Sequence, residues 1–176
     1  MRKPQPDRHR SFLILPDAEA GVVRGVATVL RVAGERMAGR VALVEHPIAP
    51  GALVPPHTHT REDEISYVVS GSIGARVGDE FLTASPGSYV LKPRGIPHAF
   101  WNAGPEAARI VEIIIPAGFE ACLAELDQLF REGRLNADRH AELGARYGVH
   151  YHLDWIAELT ERFGVRVPDA EENRAP

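Results

Sequence analysis

The chain has 176 residues, 44% of them hydrophobic and 25% charged, which is enough apolar material for one globular domain with an appendage. Twenty Lys and Arg against 24 Asp and Glu give a net charge of −4 with no basic stripe, which sets nucleic-acid partners aside. No apolar run approaches the length of a bilayer-crossing helix, and a lone cysteine, Cys122, permits no internal disulfide. A cytoplasmic protein with no membrane partner is expected.

Residues 1–11 are polar and basic and predict a flexible arm. From Phe12 the chain reads as short strands: 22–31, 40–46, 64–69, 73–77, 81–83, 89–91, 98–101 and 107–115. They are rich in Val, Ile, Leu and aromatic residues and are separated by Gly and Pro clusters such as Pro55-Pro56, Ser70-Gly71, Gly78-Asp79 and Pro86-Gly87. Evenly spaced short strands with turn signals predict an all-β sandwich or barrel over 12–116. After Pro116 the period changes. Phe119, Cys122, Leu123, Leu126, Leu129 and Phe130 recur at three- and four-residue steps, which predicts an amphipathic helix stopped at Gly133. Asn136 is placed to cap a second helix running to Tyr147, and 154–163 reads as a third. The expected organisation is therefore an arm (1–11), a barrel (12–116), a C-terminal helical segment (117–167) and a polar tail (168–176).

Three of the eight histidines sit in a structured setting. His57 and His59 are one residue apart, so in an extended strand both imidazoles face the same side and reach one ion. An acidic run, Glu62, Asp63 and Glu64, follows and offers a carboxylate. His98 comes directly after Pro93-Arg94-Gly95-Ile96-Pro97, a rigid turn that fixes how the next strand enters its sheet. The remaining histidines, His9, His46, His140, His150 and His152, have no such setting and read as strand, surface or helix-packing residues. His150-Tyr151-His152 repeats the His-x-His spacing without a third donor nearby. Cys122, among Phe119, Leu123 and Leu126, reads as a buried structural thiol. Phe100, Trp101 and Tyr67 are candidates to line an interior cavity or to pack the core.

Gly51, His57, His59, Glu64 and Gly71 stand in the order Gly, five residues, His-x-His, four residues, Glu, six residues, Gly. Gly87, Pro93, Gly95, His98 and Asn102 stand in the order Gly, five residues, Pro-x-Gly, two residues, His, three residues, Asn. These stretches resemble the two motifs of the cupin superfamily, with every defining position present. The resemblance implies a double-stranded β-helix, the jelly-roll barrel of cupins, here with a C-terminal α-helical appendage. It implies that His57, His59, Glu64 and His98 hold one divalent transition metal ion, Fe, Ni, Mn, Cu or Zn, and that Glu64 doubles as the catalytic base. Including the Ala117-Gly118-Phe119-Glu120 entry to the helices, the whole chain is most similar to small quercetinase-like cupins. That similarity implies a dioxygenase whose partners are a flavonol- or enol/diketone-like small molecule and dioxygen, in a homodimer. A non-catalytic binding or sensing barrel and a cupin isomerase or epimerase are the alternative expectations, because one barrel hosts many chemistries.

Overall fold

The computed structural model describes residues 22–23 and 28–168. The expected arm, the start of the first expected strand region and nearly all of the expected tail lie outside these residues. The strands are β1 (Val22–Val23), β2 (Thr28–Val32), β3 (Ala42–Ile48), β4 (His57–His59), β5 (Asp63–Ser70), β6 (Ile73–Val77), β7 (Glu80–Ala84), β8 (Tyr89–Lys92), β9 (His98–Trp101), β10 (Ala108–Ile115) and β11 (Val149–Tyr151). The helices are α1 (Phe119–Arg131), α2 (Ala137–Arg146) and α3 (Asp154–Phe163), with a short 3-10 turn at Gly34–Met37.

Two antiparallel sheets face each other. One has the order β1-β2-β3-β10-β5-β8 and the other β11-β4-β9-β6-β7. This is the jelly roll of a double-stranded β-helix with helices appended. Period-two alternation decides what points inward. On β10, Ala108, Ile110, Glu112 and Ile114 are buried; on β5, Glu64, Ser66 and Val68 are buried; on β8, Val90 and Lys92 are buried. Ile48, Val68, Ile73, Val90, Phe100 and Ile110 make the apolar centre of the barrel. Gly71 turns the chain between β5 and β6 at φ +70°. A Cβ there would lie 2.7 Å from the Ala108 backbone, so only glycine fits that approach.

The apolar stripe of α1 is buried as its spacing predicts: Cys122 and Leu126 pack with Leu143 of α2, and Leu123 packs with Ala42, Val44 and Ile114 of the barrel. Asn136 Oδ1 accepts the Arg139 N–H at 2.9 Å and caps α2. Glu120 accepts the Gly34 N–H at 3.0 Å and the Gly118 N–H at 2.6 Å, tying the start of α1 to the loop after β2. On the outer face of the five-stranded sheet, Leu159 and Val165 bury against Leu53, Ala99 and Trp101, with Trp155 and Phe163 alongside.

One segment departs from the sequence expectation. Val149–Tyr151, inside the segment 117–167 expected to be helical, forms β11 and pairs with β4, setting Val149 opposite His59 and Tyr151 opposite His57. A three-residue strand is too short to show a period, so pattern alone does not reveal it. Among the described residues no helix is long and apolar enough to cross a membrane.

Because α3 covers the outer face of the sheet that carries the histidines, its anchor contributes to the stability of the whole domain. Leu159→Ala should destabilise the protein by about 2–5 kcal/mol, the usual cost of opening a cavity in a closed core. Denaturant titration checks this, and an unchanged midpoint would mean that α3 docks only loosely.

Candidate metal centre

The five-stranded sheet supplies three imidazoles. His57 and His59 lie on β4 and face one side, and His98 on β9 is registered directly opposite His57. Glu64 comes from β5 of the other sheet, so the donors meet across the barrel interior. All four residues are buried, with donor atoms within 4.8 Å of one another. His57 Nε2 lies 3.1 Å from His59 Nε2, which is 3.3 Å from Glu64 Oε1, and His98 Nε2 lies 3.4 Å from Glu64 Oε2.

The outer ring nitrogens explain this convergence. His57 Nδ1 lies 2.7 Å from the Pro55 carbonyl and His98 Nδ1 lies 3.0 Å from the Ile96 carbonyl. A carbonyl only accepts, so both rings carry their proton on Nδ1 and turn an Nε2 lone pair inward. His59 Nδ1 faces Glu62 Oε2 at 3.4 Å, which favours the same tautomer. The acidic run therefore divides its work, with Glu64 facing the histidines and Glu62 standing behind His59. His98 Nε2 is buried without a hydrogen-bond partner. Inward lone pairs beside a carboxylate, one of them an orphaned buried nitrogen, fit a divalent cation better than they fit each other. The residues that would hold it are His57, His59, Glu64 and His98.

Charge around the site is set by two residues that the sequence reading passed over. Lys92 Nζ lies 3.0 Å from Glu64 Oε2 and 2.6 Å from Glu112 Oε2, and Ser66 Oγ donates to Glu112 at 3.0 Å. The register places Glu64 opposite Lys92 and Glu112 opposite Ser66. Burial works against ionising Glu64, but Lys92, His59 and His98 outweigh it and hold its pKa well below the usual carboxylate range. Burial also opposes charge on Lys92, yet Glu112 and Glu64 keep its pKa raised. Burial pushes Glu112 up to about 7 against the pull of Lys92. A visible signal was present: Glu112 and Lys92 fall on the inward phase of otherwise apolar strands.

Of the four donors, His57 and Glu64 open onto a cavity of about 550 Å³. The barrel contributes Ile48, Val54 and Phe100, and the appendage contributes Phe119, Leu123 and Phe130. The Phe119 ring meets His59 edge-on at 4.4 Å. Phe100 therefore lines the cavity, whereas Trp101 packs under α3 against Phe163 and Tyr67 stacks on exposed Tyr89. His46 lines the cavity and bonds Thr28 Oγ1 at 2.9 Å. Among the C-terminal histidines, His140 also lines the cavity, His152 bonds Thr58 Oγ1 at 2.7 Å, and His150 is exposed. Buried Cys122 has its pKa pushed up to about 12 by desolvation, which suits packing rather than nucleophilic attack.

Residues 45–114 match the family model of the cupin domain. The barrel is a cupin domain. The chain is 34% identical over 100 residues to germin-like protein subfamily T member 2 of Arabidopsis thaliana, covering 52% of this chain and 43% of that protein. It is 31% identical over 102 residues to rhicadhesin receptor of Pisum sativum, covering 55% of this chain and 44% of that protein. The matches thus span less than half the length of both curated relatives. Among solved structures, the polyketide cyclase RemF from Streptomyces resistomycificus is 30% identical, with a TM-score of 0.45, covering 50% of this chain and 63% of that chain.

Two outcomes are expected. His57→Ala or His98→Ala should abolish stoichiometric metal binding, whereas Glu62→Gln should retain the metal with an affinity about 10–100-fold lower, as for other residues that orient a ligand. Elemental analysis after dialysis checks this, and full metal content in both alanine variants would contradict the assignment. The second outcome concerns acid. Burial lowers the pKa of His46 from 6.5 to about 4. Between those values the unfolded chain takes up a proton that the folded chain refuses, so stability falls as pH drops from 6.5 to about 4 and is unaffected by this group above that window. His57 and His98, whose pKa values are also lowered chiefly by burial, add to the slope in the same direction. Denaturant midpoints of metal-free protein across this range should fall more shallowly in His46→Gln.

Proposed function

We propose that this cupin is a metal-dependent enzyme, a quercetinase-like dioxygenase acting on a flavonol- or enol/diketone-like small molecule. The observation that carries the reading is the placement of the four donors. Their His57 and Glu64 side forms part of the wall of a cavity of about 550 Å³ that is otherwise largely apolar and aromatic, within the range of small-molecule sites. A flat apolar substrate with one acidic oxygen suits both halves of that wall.

When bound, a transition metal would supply Lewis acidity toward a substrate oxygen and, if redox-active, a means of engaging dioxygen. The chain's own residues do the rest. His57 and His98 offer imidazole lone pairs held inward by the bonds of their outer nitrogens to the Pro55 and Ile96 carbonyls, and His59 stands between Glu62 and Glu64. Glu64 is ionised and stands ready to accept a proton from an enol or hydroxyl group, with Lys92 fixing its Oε2. Phe100, Phe119 and Leu123 give the same space an apolar lining.

Oxygen uptake by metal-reconstituted protein, screened over flavonols and diketones, tests the reading. Uptake coupled to substrate loss is expected, and Glu64→Gln should lower turnover by about 10²–10⁴-fold while leaving the fold intact. Substrate conversion without oxygen would replace this reading with isomerase or epimerase chemistry. Binding without conversion would leave a sensing barrel.

A further inference from the structure

The appendage brings a second set of polar side chains to the cavity. Tyr151 Oη lies 2.7 Å from His140 Nε2, and the two rings sit 4.5 Å apart at their centroids. Both residues line the cavity that His57 and Glu64 line, and the Tyr151 ring is 6.3 Å from the His57 ring. The pair is fixed from several sides. The Tyr151 backbone is registered against His57 in the sheet, and Gly144 of α2 lies so close to the ring that a Cβ there would fall 2.8 Å from it. The other cavity residues that α1 contributes, Phe119, Leu123, Leu126 and Phe130, are apolar.

A tyrosine–histidine contact in such a wall leaves hydrogen-bonding capacity unused. If Oη–H donates to Nε2, the phenol oxygen still accepts from a ligand hydroxyl. If Nε2–H donates to Oη, the phenol proton is free to donate to a ligand oxygen. Either arrangement recognises an oxygen on a molecule whose neighbours on this side of the wall, Phe119, Leu123, Leu126 and Phe130, are apolar. Burial favours the neutral form of each partner, keeping Tyr151 a phenol and His140 an imidazole.

We propose that Tyr151, held in place by His140, is a substrate-contacting residue that hydrogen-bonds an oxygen of an aromatic hydroxy compound seated in the cavity beside His57 and Glu64. The proposal rests on the reading of this cavity as the substrate site. It makes the C-terminal segment part of the recognition machinery rather than a cover over the barrel.

The test uses the full chain reconstituted with zinc, which is redox-inert. Nitrocatechol and, as a probe without hydroxyl groups, nitrobenzene are titrated by calorimetry into the wild type, Tyr151→Phe and His140→Gln. Wild type should prefer nitrocatechol. Tyr151→Phe should weaken nitrocatechol binding by about tenfold, with nitrobenzene binding, metal content and unfolding midpoint unchanged. His140→Gln should weaken it less, and it carries the comparison if the tyrosine variant does not fold. Equal nitrocatechol affinity in wild type and variants, or no binding to wild type, overturns the proposal. A joint loss of both probes, metal and stability also overturns it, because the pair is then only a clasp between α2 and β11. Absence of oxygen uptake from flavonols, with Tyr151-dependent nitrocatechol binding intact, removes the dioxygenase reading and leaves this site standing.

Discussion

A carboxylate, a lysine and a second carboxylate are buried together in the middle of this barrel, and the metal-centre geometry depends on how their charges are balanced. Glu64 faces the three imidazoles, yet an isolated buried carboxylate would neutralise itself by taking up a proton. Lys92 prevents that from 3.0 Å away, and Glu112 in turn keeps Lys92 charged at 2.6 Å. The three belong to adjacent strands β8, β5 and β10, so the ladder of one sheet sets their spacing. Such a group is a weak source of net stability, because desolvation offsets most of the attraction. What it secures is an ionised Glu64 oriented toward histidines from the opposite sheet.

The histidine side of the site rests on slender elements. β4 is three residues long and meets β9 at a single registered pair, His57 with His98. Its other edge is completed by β11, which comes from the appendage and is pinned further by Thr60 Oγ1 donating to the Gly148 carbonyl at 2.9 Å. Gly148 is held at φ +76° with the Thr60 hydroxyl 2.4 Å from where a Cβ would stand, so this crossing admits only glycine. The C-terminal segment thus closes the edge that carries two of the four donors, contributes α1 side chains to the cavity wall, and covers the sheet's outer face with α3. Barrel and appendage act as one structural unit around the site.

Much of this architecture was legible in the chain itself. Turn residues and short apolar runs marked the strands, and the three- and four-residue steps of Phe119, Cys122, Leu123 and Leu126 marked α1 and its buried face. Two motifs pointed to His57, His59, Glu64 and His98, which the fold brings within reach of one another although 41 positions separate the first from the last. The residues that were missed share a physical reason. Lys92, Glu112 and Tyr151 matter through partners on neighbouring strands or helices, and that information lies in register rather than in local pattern. Lys92 and Glu112 left a faint trace as charges on the buried phase of apolar strands. Tyr151 left none, because β11 is shorter than any period. For Trp101 the sequence left cavity lining and core packing open, and alternation decides it: beside cavity-lining Phe100 it turns outward and packs in the core under α3.

On the proposed function, the cavity, donors and charge network would serve a small, largely apolar molecule presenting an oxygen to a cation. The central claim is that three imidazoles and one carboxylate hold that cation. X-ray absorption spectroscopy of the metal-loaded protein at the metal edge tests it most directly. The account predicts three imidazole nitrogens and at least one oxygen at about 2.0–2.2 Å with no sulfur donor. A spectrum with one imidazole or none, or with a sulfur ligand, would contradict it.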